Sequence, residues 1–452
     1  MNFVESCRRL IALESTPQHG NKEVAEAVAK MAQEAGLLVE LQQETLKGIE
    51  QCNVILRSPS CESMRGSHKE LLLQTHLDTA DAGSFALWTQ TECNPFNASI
   101  YGDELYGLGA ADTKLDILCK MEALKSLAHE PLKKPVVVAG TFGAHSGMMG
   151  AAKLLRRKKV DPDLVLVGEP TDFQLMTQGM GLAVVEISLP FSDQEIDYRR
   201  NHDLIESSSS QSRIFHGKPA HGSVPSMGDN AIFKMVDYLA QLPDSLVVMD
   251  VDGGLSYNTV PASAVLEIDI VEGGIADPIS TKICHIVREL RNLELDFLSF
   301  CDEAFNPPHP TMNVGTIRTS EDQVQITGSC RILPSMGQQV YDSWMERLNG
   351  ICSSQGAKFR VTDYKPPFFT STELAFVNFC GDILREMNLP SKVGAMSAAS
   401  EASVFHKLGV SCLAFGPGKS AGNSHEPNES ISISSLMQAT EFYRKLIQRV
   451  CL

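Results

Sequence analysis

The sequence predicts an α/β fold in which a mostly parallel sheet flanked by helices is interrupted by a smaller α+β domain. Strand-sized apolar runs alternate with helical segments up to about residue 180, a pattern typical of a parallel sheet. A new strand-like run begins near residue 181, and a Pro-Pro pair at 366–367 marks a return to the first pattern. We therefore expect one α/β domain built from residues 1–180 and 365–452, with the inserted domain at 181–364.

Hydrophobic periodicity predicts the first elements of the chain. The N-terminal residues carry Glu5, Arg8 and Arg9 among apolar side chains, which predicts an amphipathic helix rather than a signal peptide. Val24, Val28 and Met31 share one helical face of a segment that ends at Gly36. Further elements are predicted in the order strand 37–44, strand 52–57, strand 70–75, helix 115–129, strand 135–142, helix 148–158 and strand 163–168.

The remaining predicted elements follow residue 180. Residues 192–214 are polar and contain a run of four serines, so we expect an exposed insertion there. The other predicted elements are helix 229–242, strands 263–270 and 323–330, helix 337–350, helix 372–388, strand 410–415 and helix 432–449.

Composition excludes several classes of function. The 452 residues include 39 Lys and Arg against 55 Asp and Glu, and the net charge of −16 gives nucleic-acid binding no global support. No apolar run is long enough to cross a bilayer. Twelve scattered cysteines without a CxxC pair indicate reduced thiols. We expect a cytoplasmic protein without a nucleic-acid or membrane partner.

Polar side chains capable of metal binding follow apolar strands or glycine turns at four places. They are His76 with Asp78, Asp112, Glu169 and His425. Each alone has an ordinary explanation, respectively a surface turn, a glycine turn capped by Asp112, a salt-bridged glutamate and a solvated loop histidine. Together they lie where open α/β sheets build their sites. Two histidines with carboxylates match the ligands of Zn²⁺, with Co²⁺ or Mn²⁺ as substitutes.

Four motifs carry a resemblance to a known family: DELYGLGAADTK, VGEPTD, GKPAHGSVPSMGDNAI and FGPG followed by SHEPNE. In this order they resemble the co-catalytic zinc metallopeptidases and deacylases, which include acetylornithine deacetylase, succinyl-diaminopimelate desuccinylase, aminoacylase and the glutamate carboxypeptidases. The resemblance covers nearly the whole chain. It implies a catalytic domain at 1–180 and 365–452, a lid and dimerisation domain at 181–364, a homodimer, and two divalent metal ions, zinc first.

The resemblance also implies roles for single residues in the catalytic domain. His76 would bind one metal ion and Asp112 would bridge both. Glu169 would complete the ligands of the first ion, and His425 those of the second. Asp78 would orient His76.

In the inserted domain, the resemblance implies that His221 reaches the partner subunit's active site and helps to polarise the scissile carbonyl. Arg331 would hold a substrate carboxylate, a bidentate task suited to arginine. Asn258 would lie near the substrate, and Gly418 would belong to a substrate-binding glycine loop. An ordinary surface position stays open for both His221 and Arg331.

The sequence departs from the family where two adjacent glutamates usually follow the strand at 135–142. A gap-free alignment places Ala144 at the general base and His145 at the metal ligand. A one-residue shift would instead place His145 at the base and Ser146 at the ligand; we prefer the gap-free version. Imidazole is a good zinc donor, whereas loss of a general base typically costs about 10²–10⁴ in rate. His145 itself is a candidate substitute base.

Three hypotheses about function follow. The first is a metal-dependent hydrolase that cleaves the amide bond of a small N-acyl amino acid or dipeptide. The alternative is a catalytically impaired relative that binds a ligand or partner. The third is an aminopeptidase of the broader co-catalytic zinc group, against which the lid motif around His221 argues.

Overall fold

The structure is a computed structural model that describes most of the chain, namely residues 2–157, 159–201, 210–243, 246–271 and 274–452. The described chain divides into two compact units. The first comprises residues 1–179, 368–395 and 400–452, and the second comprises 180–367 and 396–399. None of the helices in the described ranges has the length and apolarity needed to cross a membrane.

Helices and strands alternate along the described residues. The helices are α1 (Phe3–Ile11), α2 (Lys22–Glu34), α3 (Asp116–Ser126), α4 (Met149–Arg156), α5 (Asp193–Asn201), α6 (Ala231–Leu239), α7 (Ile279–Phe297), α8 (Gly337–Ser354), α9 (Ala375–Glu386), α10 (Ala402–His406) and α11 (Ile433–Cys451). The strands are β1 (Leu38–Leu46), β2 (Ile49–Arg57), β3 (Glu70–His76), β4 (Ser99–Tyr101), β5 (Glu104–Tyr106), β6 (Val136–Thr141), β7 (Pro162–Gly168), β8 (Leu175–Gly179), β9 (Gly181–Pro190), β10 (Gln211–His216), β11 (Leu246–Gly253), β12 (Ser263–Ile270), β13 (Thr311–Thr319), β14 (Gln323–Ile332), β15 (Lys358–Lys365), β16 (Phe368–Phe369), β17 (Val393–Met396), β18 (Ser411–Phe415) and β19 (Ser430–Ser432).

The first unit is built on a mixed sheet with the strand order β1-β2-β6-β3-β7-β18-β8-β16 and β17 beside β8. The central strands β6, β3, β7 and β18 run parallel, and the flanking strands pair antiparallel. This confirms the predicted α/β class. Because the central strands are parallel, their carboxyl ends meet at one edge, and β3 and β6 end there in register at His76 and Thr141.

A buried charge network ties β3 to the helices of the first unit. Lys120 on α3 lies 2.7 Å from Asp116, and its ammonium donates to the Thr75 hydroxyl at 2.6 Å. The Tyr443 hydroxyl on α11 donates to the second oxygen of Asp116 at 2.7 Å. A Cβ at Gly168 would lie 2.6 Å from the Asp116 side chain, 2.7 Å from that of Thr75 and 2.8 Å from that of Lys120, so only glycine fits there. The network satisfies its charges but leaves no space for another atom.

We expect Lys120→Met to lower the free energy of unfolding by about 3–5 kcal/mol, because it leaves the Asp116 carboxylate buried without its counter-charge. The double variant Lys120→Met with Asp116→Asn should lose less than the sum of the two single changes. Urea unfolding measures both. The matched control is Lys125→Met on the exposed side of α3, which should stay within about 0.5 kcal/mol of the wild type. A wild-type unfolding midpoint for Lys120→Met would contradict the expectation.

The second unit is a smaller α+β domain, in agreement with the predicted class. Its seven-stranded sheet has the order β10-β12-β11-β13-β14-β9-β15, and each of these pairs is antiparallel. Helix α7 packs on β9, β11 and β13 beside α6 and α8. Helix α7 was not among the predicted elements, although Ile279, Ile283, Ile286 and Leu290 recur on one buried helical face.

Where it is described, the polar stretch at 192–214 contains regular elements that are mostly solvent-exposed, with Glu195 buried in α5 and Phe215 in β10. Residues 193–201 form α5, and β10 at 211–216 pairs with β12. The buried Glu195 carboxylate accepts hydrogen bonds from the backbone N–H groups of Ser192 and Ile279, both at 2.9 Å. The polar composition of the segment does not reveal that Glu195 caps these backbone N–H groups. Residues 202–209, including most of the serine run, lie outside the described residues.

Candidate metal centre

His76 is the last residue of β3 and only 3% exposed. Its Nε2 atom lies 3.3 Å from Oδ1 of Asp112, and its Nδ1 atom lies 2.9 Å from the backbone oxygen of Asp78. Because Nδ1 contacts a carbonyl oxygen, the imidazole proton lies on Nδ1. The lone pair of Nε2 is then the one that can bind a metal ion. Burial lowers the pKa of His76, but the hydrogen bond and charge of Asp112 outweigh this and raise it well above its ordinary value.

Asp112 lies between two histidines at the end of a glycine-rich loop. Its second oxygen, Oδ2, is 2.5 Å from Nε2 of His425, a residue at φ 62° whose side chain is about half exposed. Burial raises the pKa of Asp112, but hydrogen bonds from His425 and His76 hold it well below its usual range. Since each carboxylate oxygen faces a different histidine, the arrangement suits one carboxylate that bridges two cations.

His145 completes a compact group with His76 and Asp112, whose ligand atoms all lie within 4.8 Å of one another. Its ring centre is 5.3 Å from that of His76 and 5.1 Å from that of His425. Burial lowers its pKa to about 4, so the imidazole is neutral at pH 7. Its buried Nε2 has no hydrogen-bond partner among the described residues. An unpaired buried nitrogen is costly, and its presence beside two other donors fits a divalent cation.

Asp78 takes part in hydrogen bonds through both its main chain and its carboxylate. The backbone oxygen of Asp78, rather than its carboxylate, contacts His76. The carboxylate accepts hydrogen bonds from the backbone N–H groups of Ala144 at 3.2 Å and His145 at 3.1 Å. Asp78 therefore holds the loop that carries His145 and, with its main chain, orients His76.

Glu169 follows β7 at the same edge of the sheet but does not join the compact group within the described part of the chain. Burial raises the pKa of Glu169 to about 7, the positive charge of His76 opposes this rise, and Asp112 adds to it. The nearby Ser400 side chain also opposes this rise in the pKa. Glu169 is thus electrostatically coupled to His76 and Asp112.

The glycine loop that contains Gly418 packs against the Asp112 loop. A Cβ at Gly418 would lie 2.5 Å from the backbone oxygen of Ala111, and one at Gly416 would lie 2.4 Å from the backbone oxygen of Glu169. Close backbone approach therefore explains both glycines, whether or not a substrate contacts the loop.

The other three candidate residues belong to the second unit. His221 pairs by its backbone with Thr259, and its Nδ1 atom lies 2.7 Å from the Ser223 hydroxyl. Asn258 accepts a hydrogen bond from the Ser256 hydroxyl at 2.8 Å, and its backbone oxygen accepts one from Gly222. His221 and Asn258 thus lie on adjoining turns of one loop cluster.

Arg331 on β14 is 8% exposed, and burial lowers its pKa. Its Nε atom is buried without a hydrogen-bond partner in the described ranges. A guanidinium held in this way has unused capacity to donate hydrogen bonds.

Two buried glutamates near the centre escaped the sequence analysis. The Glu429 carboxylate accepts hydrogen bonds from three backbone N–H groups of the Asp112 loop. Glu401 accepts a hydrogen bond from the Thr141 hydroxyl at 2.9 Å, and burial raises its pKa to about 7. The hydrogen-bond partners of both glutamates are far away in sequence. The only sequence signal for either residue was therefore that Glu429 belongs to the motif SHEPNE.

The similarity of this chain to known proteins covers most of its length and not only the residues of the site. Residues 72–449 match the model of Peptidase family M20/M25/M40. An acetylornithine deacetylase of Aliivibrio fischeri is 23% identical over 460 residues, which cover 99% of this chain and 96% of that protein.

Two solved structures share the fold. An aminoacylhistidine dipeptidase from Vibrio alginolyticus is similar with a TM-score of 0.63 at 16% identity, covering 99% of this chain and 96% of that one. An M20 family metallo-carboxypeptidase from Sulfolobus solfataricus has the same TM-score and identity, covering 99% of each chain. Because the family match spans well over half of its residues, this chain belongs to Peptidase family M20/M25/M40.

Proposed function

We propose that the protein is a metal-dependent hydrolase that cleaves the amide bond of a small N-acyl amino acid or dipeptide. One observation carries the proposal, namely the convergence of His76, Asp112, His145 and His425 at the carboxyl edge of the parallel strands. The similar proteins support the substrate class, because their names specify a deacetylase of acetylornithine and a dipeptidase of aminoacylhistidine.

In this proposal the ligands of two divalent ions are His76, Asp112, His145, Glu169 and His425. Zinc is the first choice, with cobalt or manganese as substitutes, since the set combines imidazole nitrogens with carboxylate oxygens. Such a pair of ions polarises an amide carbonyl and lowers the pKa of water. The chain's own task is to hold these donors in place, through the contacts of Asp78 with His76 and with the 144–145 backbone.

Ala144 favours a second candidate function. The aligned position is where the family's general base is expected, and a methyl group cannot take a proton from water. His145 is neutral at pH 7 and can accept a proton if it is not bound to an ion. Without a substitute base the protein would bind metal and ligand but turn substrate over slowly, as a catalytically impaired relative that acts by binding.

The second unit has a supporting part in this proposal. We assign it the roles of lid and homodimer contact, with His221 polarising the scissile carbonyl, Asn258 beside the substrate and Arg331 on its carboxylate. All twelve cysteines fall within the described residues and are free thiols, which supports a cytoplasmic site of action.

We expect Arg331→Ala to raise KM for a substrate with a free carboxylate by roughly 10–100-fold, the cost of losing hydrogen bonds to a charged group. Because this contact lies away from the reacting bond, kcat should change little. The same substrate with its carboxylate converted to an amide should show no further loss. Arg318→Ala removes an exposed arginine paired with Asp252 and is the matched control. Equal KM values for Arg331→Ala and wild type would refute the assignment.

The proposed function is tested by hydrolysis assays on purified protein loaded with Zn²⁺, Co²⁺ or Mn²⁺. The panel contains N-acetyl, N-succinyl and N-formyl amino acids together with dipeptides. Metal-dependent turnover of one class would support the hydrolase and identify its substrates. Absence of turnover across the panel, with metal still bound, would favour the binding protein.

A further inference from the structure

Glu429 has an unusual set of hydrogen-bond partners for a buried carboxylate. Oε1 accepts hydrogen bonds from the backbone N–H groups of Ala111 at 2.7 Å and Asp112 at 2.8 Å. Oε2 accepts one from Gly109 at 2.9 Å, and the backbone oxygen accepts one from Gly107 at 3.0 Å. The residue is 1% exposed. A single side chain thus holds most of the backbone that leads to Asp112.

These contacts require an unusual backbone. Gly109 has a φ of +83°, and a Cβ there would lie 2.7 Å from Thr79 and 2.9 Å from Lys114. Convergent N–H groups in such a turn form a concave site for an anion. In this protein the anion is supplied by the chain itself, so the loop conformation depends on Glu429.

Glu429 belongs to the same segment as the second histidine. It lies four residues after His425, and the next residue, Ser430, exchanges two backbone hydrogen bonds of 2.8 Å with the Asn423 side chain. Strand β19 then continues into the antiparallel pairing of Ser430 with Tyr106 on β5. The segment that carries His425 and the loop that carries Asp112 are therefore joined at Glu429.

We propose that Glu429 is a positioning residue of the metal centre, which sets the orientation of the bridging carboxylate of Asp112 and its separation from His425. The proposal rests on the proposed function for the identity of the centre, but its evidence is the hydrogen-bond geometry above. Groups that hold a metal ligand in place typically contribute 10–100-fold to metal affinity.

The test is a titration of metal-free protein with Co²⁺, followed by visible absorption and by competition with a chelator. Glu429→Gln keeps the shape of the side chain but turns an NH₂ group toward either Gly109 or the Ala111 and Asp112 amides. We expect a 10–100-fold weaker Co²⁺ affinity and an altered Co²⁺ spectrum. Asp103→Asn is the matched control, because Asp103 also accepts hydrogen bonds from the C-terminal segment, at Ser434, but precedes β5 and does not belong to the loop that leads to Asp112. It should bind Co²⁺ like the wild type.

Glu429→Asp provides a second variant in case Glu429→Gln fails to fold. It keeps the charge but is one methylene too short to reach the three N–H groups together, so its affinity should also fall. A folded Glu429 variant with the Co²⁺ affinity and Co²⁺ spectrum of the wild type would overturn the proposal. This holds even if urea unfolding showed a lower stability, because lower stability alone would indicate a purely structural role for Glu429. A wild-type protein that binds no Co²⁺ would overturn it too. Metal-loaded wild type without turnover would instead count against the proposed hydrolase alone.

Discussion

Asp112→Ala is expected to reduce hydrolysis to the background rate and to weaken binding of both metal ions by more than about 100-fold each. The lower bound follows because even groups that merely hold a ligand are worth 10–100-fold in affinity, whereas Asp112 contacts two histidines directly, through separate oxygens. No other carboxylate joins the compact group of described residues. Metal content after dialysis and turnover of the best substrate are the measurements.

The control for this variant is Asp161→Ala, at the opposite end of β7 from the centre. Asp161 is exposed and pairs with Lys69 on the surface, a kind of contact that contributes at most about 1 kcal/mol. It should retain metal and activity. An Asp112→Ala protein that kept both ions would show that the bridging role belongs to another residue, with Glu169 the first to examine.

If no other group replaces the missing base, Ala144→Glu is expected to increase kcat by about 10²–10⁴, the usual contribution of a positioned general base. The backbone N–H of residue 144 is anchored on Asp78, and the alanine is only partly buried, so a longer side chain can leave the loop without displacing it. Ala144→Gln is the matched control, because it has the same shape but cannot accept the proton. Steady-state kinetics of the zinc-loaded proteins measure the change.

The direction of this change separates the two candidate functions. A large gain from a near-zero rate, absent in Ala144→Gln, would show that the natural protein is an impaired relative. A loss of already substantial activity would show that another base operates, and His145 would then be tested by substitution with glutamine. An equal gain in both variants would contradict a proton-transfer role for the introduced carboxylate.

The sequence predicts the elements that carry strong apolar runs. Strand β3 was predicted from its apolar run at 71–73, and all seven of its residues are buried, the polar ones included. Helix α3, which follows the Asp112 loop, was also predicted, and eight of its eleven residues are buried. The motifs then placed His76, Asp112 and His145 in sequence, and the structure brings these three together.

What the sequence cannot predict depends on pairing between distant segments. The hydrogen bonds of Glu429 to Gly109 and Asp112 span more than 300 residues, and no local pattern encodes them. The contact of Asp78 with His76 is made by the backbone carbonyl of Asp78, and this depends on the geometry of the turn rather than on residue type. Antiparallel flanking strands such as β2 look like their parallel neighbours because both are buried.

The strand order has a consequence for synthesis of the chain on the ribosome. Strand β18 fits between β7 and β8 in the sheet, although about 230 residues separate it from β8 along the chain. At 5–20 residues per second, translation of that stretch takes roughly 10–50 s. During this interval the nascent chain has an incomplete sheet with exposed strand edges. The candidate ligand His425 is synthesised after this interval, so the candidate metal centre is complete only when the last part of the chain has been made, and a message truncated before residue 411 would encode neither β18 nor His425.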